Sequence, residues 1–241
     1  MHFHLPRPLH GWREFAGEVG IIVLGVLIAL GAEQAVERVR WNREVAETRR
    51  SLAVELAEAR AYAAERVITG DCIERQLLAF DKLADAEQVP AVIQINLNVG
   101  LRPWSVSAWE AASASGEIAH MSQEERNQYA SVYGSIKVIR AVQLQEFETS
   151  NDLGTLVPGR HLTPISRDRL QTVVARLRGF NELLRVSSQQ LIDQTTGLGV
   201  HLDIHDPATL DLIYSARRRA RSCPLTGGAP VSLAVQLGKA A

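Results

Sequence analysis

The sequence predicts an all-α protein. An N-terminal transmembrane helix continues into a long helix, and an antiparallel helical bundle follows. Three observations carry this. Residues 15–36 hold an apolar run, Val19 to Ala32, with no charged or strongly polar side chain. Strong helix formers such as Ala, Leu, Glu, Arg and Gln are abundant, while aromatics make up only 5%. Downstream of residue 36, leucines and alanines recur at helical and heptad spacing.

The 14 residues from Val19 to Ala32 span about 21 Å as a helix. A bilayer core of about 30 Å needs roughly 20 residues. The span therefore reaches membrane length when Glu18 and Glu33 sit at the two interfaces. A cleaved signal peptide is one alternative, since Ala29-Leu30-Gly31 is a small-x-small site. Against it, Glu14 and Glu18 precede the run where a signal peptide carries positive charge, and the helical pattern continues past Glu33. A buried core helix is the other alternative. The N-terminal position and the unbroken run Ile21 to Leu30 argue against that. Gly25, Ala29 and Ala32 share one face of the anchor, and small residues there let a second membrane helix approach closely.

The 241 residues leave about 200 beyond the anchor, enough for one domain. A net charge of −1 gives no global attraction to nucleic acid. Two cysteines, Cys72 and Cys223, can form a disulfide in an oxidising compartment; two unrelated buried thiols are the alternative.

Residues 1–14 form a short tail in which Pro6 and Pro8 oppose helix. Its His2, His4 and His10 define no site. A long helix is expected over 33–68, with Leu52, Leu56, Ala59 and Ala63 as a heptad-like seam; the bundle reading of this seam is preferred to a signalling coiled coil. Gly70 is read as a break, and Asp71 as the cap of a further helix over 72–86 with Ile73, Leu77 and Phe80 inward. Residues 87–103 read as an extended loop; a strand or hairpin over 91–99 is the alternative. A helix over 105–115 ends at Gly116. Ser122 to Glu125 is a capping box opening a helix over 122–150, with Tyr129, Val132, Tyr133, Ile136, Ile139 and Gln143 on its buried stripe. Ser166 caps a helix over 166–196, where Leu170, Leu177, Leu184 and Leu191 recur every seven residues with Val173, Phe180, Ser187 and Gln194 between them. A core face within one chain is preferred to a zipper between two. Asp206 caps a last helix over 207–221 that ends in Arg217, Arg218, Arg219 and Arg221. A solvated arginine face is the plain reading there, and an anionic-lipid or acidic-partner site the alternative. Residues 37–223 thus form the extramembrane domain and 224–241 a flexible tail.

The stretch Trp109-Glu-Ala-Ala-Ser-Ala-Ser-Gly-Glu-Ile118, the segment Ser122 to Glu125 and the pair Tyr129 and Tyr133 resemble a pattern of uncharacterised bacterial membrane proteins. Their N-termini resemble Glu18 to Leu30 followed by a Gln-containing polar helix. The similarity covers roughly the first 140 residues. Here Ala32-Glu33-Gln34-Ala35 stands where those proteins often carry Gln, Asn and Trp, so interface contacts differ there. The resemblance implies a single-pass protein with a helical extramembrane domain, and implies no activity.

No Gly-rich phosphate loop, Cys-x-x-Cys, His-Glu-x-x-His or nucleophile elbow is present in the sequence. No catalytic residue, cofactor or metal ligand is therefore assigned. The expected role is a membrane-anchored interaction or sensory module without its own activity. Its expected partners are the bilayer and either a second copy or another membrane protein. The alternative is a membrane-tethered metal-dependent hydrolase using His201, Asp203 and His205. The expected location is the inner membrane, with the N-terminus cytoplasmic and the domain periplasmic. Basic residues oppose this orientation: Arg38, Arg40, Arg43, Arg49 and Arg50 follow the anchor, while only Arg7 and Arg13 precede it.

Overall fold

A computed structural model describes residues 11–86, 89, 97, 101–157 and 159–223. Five α-helices account for most of them: α1 Trp12–Leu83, α2 Ser107–Ser115, α3 Gln123–Asn151, α4 Pro164–Gly197 and α5 Pro207–Arg221. Two single 3-10 turns, Glu117–His120 and Asp152–Thr155, follow α2 and α3. No strand occurs among the described residues, so the protein is all-α.

The organising element is α1. Its 72 residues make a rod of about 108 Å. Residues 12, 13 and 15–40 are exposed, and the 18-residue apolar window among them is 0% buried. Those residues form one helix long and apolar enough to cross a membrane. The helix begins at Trp12, slightly ahead of the expected 15. Burial starts at Trp41, whose ring stacks on His120 with centroids 3.7 Å apart. From there to Leu83 the same helix supplies the central pillar of the bundle.

The expected break at Gly70 is absent. Leu56, Ala63, Gly70, Leu77 and Ala84 lie seven apart and are all buried, so Gly70 is a seam position. Asn181 Nδ2 on α4 donates to the Gly70 carbonyl at 3.1 Å, and a Cβ at Gly70 would lie 3.1 Å from Arg185 Cδ. Glycine inside a helix costs only about 1 kcal/mol relative to alanine, and packing along the whole seam exceeds that. Asp71 consequently caps nothing; Ile73, Leu77 and Phe80 do face inward.

The pairing of side chains gives the topology. Arg49 reaches Glu125 and Arg66 reaches Glu146, so α3 runs parallel to α1. Gly70 meets Asn181 and Arg60 meets Thr195, so α4 runs antiparallel. Arg219 meets Glu65, and Cys223 is disulfide-bonded to Cys72, so α5 runs parallel. Helix α4 starts earlier than expected, because Thr163 Oγ1 accepts from Ser166 N–H and Pro164 takes the first helical position. Ser122 Oγ caps α3 as expected, and Asp206 caps α5. Leu170, Leu177, Leu184 and Leu191 are buried within this chain. Val173 is buried as expected, but the companion row that continues along the helix is Val174, Asn181, Ser188 and Thr195, while Phe180, Ser187 and Gln194 are only half-buried.

The core has two apolar clusters. The first, near the anchor, joins Val45, Leu52, Leu56, Trp104, Tyr133, Ile136 and Leu191. The second, at the far end, joins Leu77, Phe80, Leu83, Leu153, Leu170 and Leu177. Of the connection expected over 87–103, Val89 is held by backbone bonds to Gly159 and Arg160, and Leu97 is buried. The alternative hairpin over 91–99 lies outside the described residues apart from Leu97, as do residues 1–10 and 224–241 of the two tails.

Gly70→Ala should raise the unfolding free energy by about 0.5 kcal/mol. Its Cβ meets only the flexible Arg185 side chain. Chemical denaturation followed by helical dichroism reads the change, and a helix that broke at this position would lose stability instead.

Candidate functional site

Charged and polar side chains of α1, α3, α4 and α5 meet in a layer between the two apolar clusters. On one side Arg66 grips Glu146 through two bonds of 2.8 and 2.5 Å, and also donates to Asn181 Oδ1 at 3.0 Å. Glu146 is 1% exposed. On the other side Arg102 grips Glu65 through bonds of 2.6 and 2.5 Å, and Arg219 donates to the same carboxylate. Arg102 also lies over the Tyr62 ring, 5.7 Å from its centroid. The bonds to Glu65 hold the Arg102 guanidinium above its ordinary pKa. Burial pushes the Tyr62 hydroxyl up to about 12, helped by its bond to Glu58. Gln143 Oε1 accepts from Trp104 Nε1 at 2.7 Å and orients that indole across the layer.

A second buried carboxylate organises the end nearer the anchor. Glu55 Oε2 accepts from Ser105 Oγ at 2.5 Å, Ser107 Oγ at 3.0 Å and Ala108 N–H at 3.1 Å. It caps α2 from across the bundle, since α2 has no side-chain cap of its own. Burial pushes the Glu55 carboxyl up, but the hydrogen bonds from Ser105, Ala108 and Ser107 outweigh it and leave it below 4.5. Burial and the neighbouring Glu55 charge raise the Tyr133 hydroxyl.

A surface groove of about 860 Å³ runs between α1 and the 199–219 stretch. Ala53, Val54, Ala57 and Leu212 give it an apolar wall. Glu58, Asp203 and Asp211 line it as well, and Tyr62, Arg102 and Arg219 close its inner end. The small side chains on α1 are what leave the space open.

The residues singled out from sequence fall as follows. Gly25, Ala29 and Ala32 lie exposed on α1, and a Cβ on Gly25 would meet nothing within 4 Å. Cys72 and Cys223 are bonded, which ties the end of α5 to α1. His201, Asp203 and His205 are exposed and form a turn. Asp203 Oδ1 accepts from His205 N–H at 2.9 Å and Asp206 N–H at 3.2 Å. Among the described residues no three His, Cys, Asp or Glu side chains are grouped to hold a metal ion. Arg217, Arg218 and Arg221 are solvated. The neighbouring Arg219 stands level with Glu65, about 44 Å along the rod from Val36; if α1 crosses a membrane and stands upright, these arginines would be too far from it to reach lipid.

Sequence reasoning missed Glu65, Arg66, Arg102, Glu146 and Asn181, and it placed Arg219 on the solvated face, whereas that guanidinium turns inward to Glu65. One signal was available: Arg66 lies seven residues from both Ala59 and Ile73, so a charge occupies a seam position.

Two outcomes test this electrostatic architecture. Glu146→Gln should cost about 3 kcal/mol, because it leaves the Arg66 guanidinium buried without its charge partner; replacing both residues with Met and Leu should recover most of that loss. Urea denaturation of the single and double variants reads both numbers. Glu55→Gln should cost about 1–2 kcal/mol at pH 7. The folded Glu55 carboxyl titrates below the unfolded value of 4.5. Its contribution is therefore complete above that value and fades as pH falls through the folded one, so the gap between wild type and variant should be smaller at pH 3 than at pH 7.

Comparison with protein-family models, with curated proteins and with solved structures gives no match.

Proposed function

We propose that the chain is a single-pass, membrane-anchored helical module that senses or binds through its extramembrane domain and acts through a partner, without chemistry of its own. The observation that supports this reading is the continuity of α1. One unbroken helix is exposed and apolar over its first third and forms the core pillar over the rest. Any ligand or partner that shifts α4 or α5 against α1 acts on a rod that enters the anchor without a Pro or Gly between Ala32 and Thr69. The output surface in this reading is the face of Gly25, Ala29 and Ala32, which would pack on a second copy or on another membrane protein.

The domain is proposed to lie outside the cytoplasm, in the periplasm of a cell with two membranes, with the N-terminus inside. The Cys72–Cys223 disulfide supports this placement, since such bonds persist in oxidising compartments. The arginines after the anchor weigh the other way, but the basic-residue rule weakens when a long domain follows.

Purification in mild detergent is expected to recover a homodimer or a specific membrane protein, and Gly25→Ile with Ala29→Ile should reduce that recovery at least threefold. A monomer indifferent to both changes would overturn the interaction reading. A reporter fused after Ala241 should be active only outside the cytoplasm; activity inside would overturn the placement and leave the interaction reading standing.

A further inference from the structure

A cavity of about 50 Å³ lies inside the ionic layer. A water molecule's share of liquid volume is about 30 Å³, so the space suits one small group. Its charged lining is Arg66, Arg102, Arg219 and Glu65. Glu146 stands behind Arg66 and neutralises it. Glu65 is shared by Arg102 and Arg219. Three guanidinium groups thus meet two carboxylates, and one positive charge is left over. Arg102 and Arg219 keep 31% and 36% of their side chains exposed, so solvent screens part of that charge, and a counter-charge in the cavity would offset the part turned inward.

Two donors are poised for such a group. Ser188 is 0% exposed, lines the cavity, and its Oγ has no hydrogen-bond partner in the protein. Arg66 Nε is likewise buried without one. A guanidinium N–H only donates, and a hydroxyl can donate as well, so the two can converge on an anion; the three guanidinium groups, not the hydroxyl, disfavour a cation there. Leu184, Ile139 and Ile73 form the apolar part of the wall, beside Thr69, Trp104 and Gln143, and their low polarity strengthens a charge interaction near them. Access exists, because Tyr62, Arg102 and Arg219 line both this cavity and the surface groove.

We propose that the cavity is a binding site for one small monovalent inorganic anion of chloride size, held by Ser188 Oγ and the guanidinium groups of Arg66, Arg102 and Arg219. The site is independent of the interaction role proposed above: it ties three helices together at the centre of the domain whatever the domain binds.

The test uses the full chain in mild detergent. Thermal midpoints are measured at matched ionic strength and pH in sodium chloride and in sodium gluconate. Chloride should raise the midpoint by about 3 °C along a saturating curve, and bromide should do the same. Ser188→Ala should shift the half-saturating chloride concentration upward at least fivefold. The wild type should also broaden the chloride-35 resonance, and Ser188→Ala should remove most of that broadening. If Ser188→Ala does not fold, Arg219→Gln takes its place, since that side chain is 36% exposed. Equal midpoints in chloride and gluconate would overturn the proposal and leave water as the occupant. A chloride effect unchanged in the variant would overturn it too, by placing the anion elsewhere.

Discussion

Arg66 reaching from α1 to Glu146 on α3 and Asn181 on α4 is the constraint on which the bundle depends. Apolar packing alone is tolerant of sliding, because one leucine row resembles the next. A guanidinium with fixed donor directions is not. It accepts one register of three helices, and the Asn181 bond to the Gly70 carbonyl fixes the same register a turn further on. An ion pair this deep adds little net stability against a well-packed apolar substitute. Its contribution is to make every slipped arrangement expensive, since a slip would bury Glu146 or Arg66 alone. The two apolar clusters lie on either side of this layer and are held in phase by it.

The same layer explains why the heptad rows are partly polar. Asn181, Ser188 and Thr195 follow Val174 at seven-residue steps along α4 and are all buried. Thr195 donates to the Leu191 carbonyl and accepts from Arg60, so its hydroxyl is satisfied inside the bundle. Burial lowers the Arg60 pKa, which is the expected direction for a cation withdrawn from water. A row of small polar residues at these positions lets long arginine side chains pass between helices where leucine would block them.

How much of this could be read beforehand depended on whether the signal was local. The N-cap of α5 at Asp206, the N-cap of α3 at Ser122 and the end of α2 at Gly116 were all legible, because a cap is a contact within a few residues. The leucine row of α4 and the Leu52–Leu56–Ala59–Ala63 seam of α1 were legible from period alone. Gly70 was misread, since a glycine that ends a helix and one that lets a neighbouring helix approach look identical in sequence. The ionic layer left a single trace, the charge of Arg66 at a seam position. Glu65, Arg66, Arg102 and Glu146 are spread over some eighty positions, and each alone resembles a solvated surface charge. Only the packing of four helices turns them into partners. The groove was hidden for a similar reason, being defined by side chains that are too small to fill it.

A rod without a hinge has a phase as well as a length. Each residue of α1 advances the helix by about 100°, and residues 33–40, between the apolar run and the first buried position, are all exposed. Among the described residues no hydrogen bond or ion pair ties them to another element of the bundle. Adding or removing one residue there would leave the bundle intact while turning the face of Gly25 and Ala29 by more than a quarter of a circle relative to the domain. Seven residues would nearly restore it, at the cost of standing the domain about 10 Å further off. The short exposed segment is thus the place where the orientation of one end with respect to the other is set, as the pitch of a screw sets where its slot comes to rest.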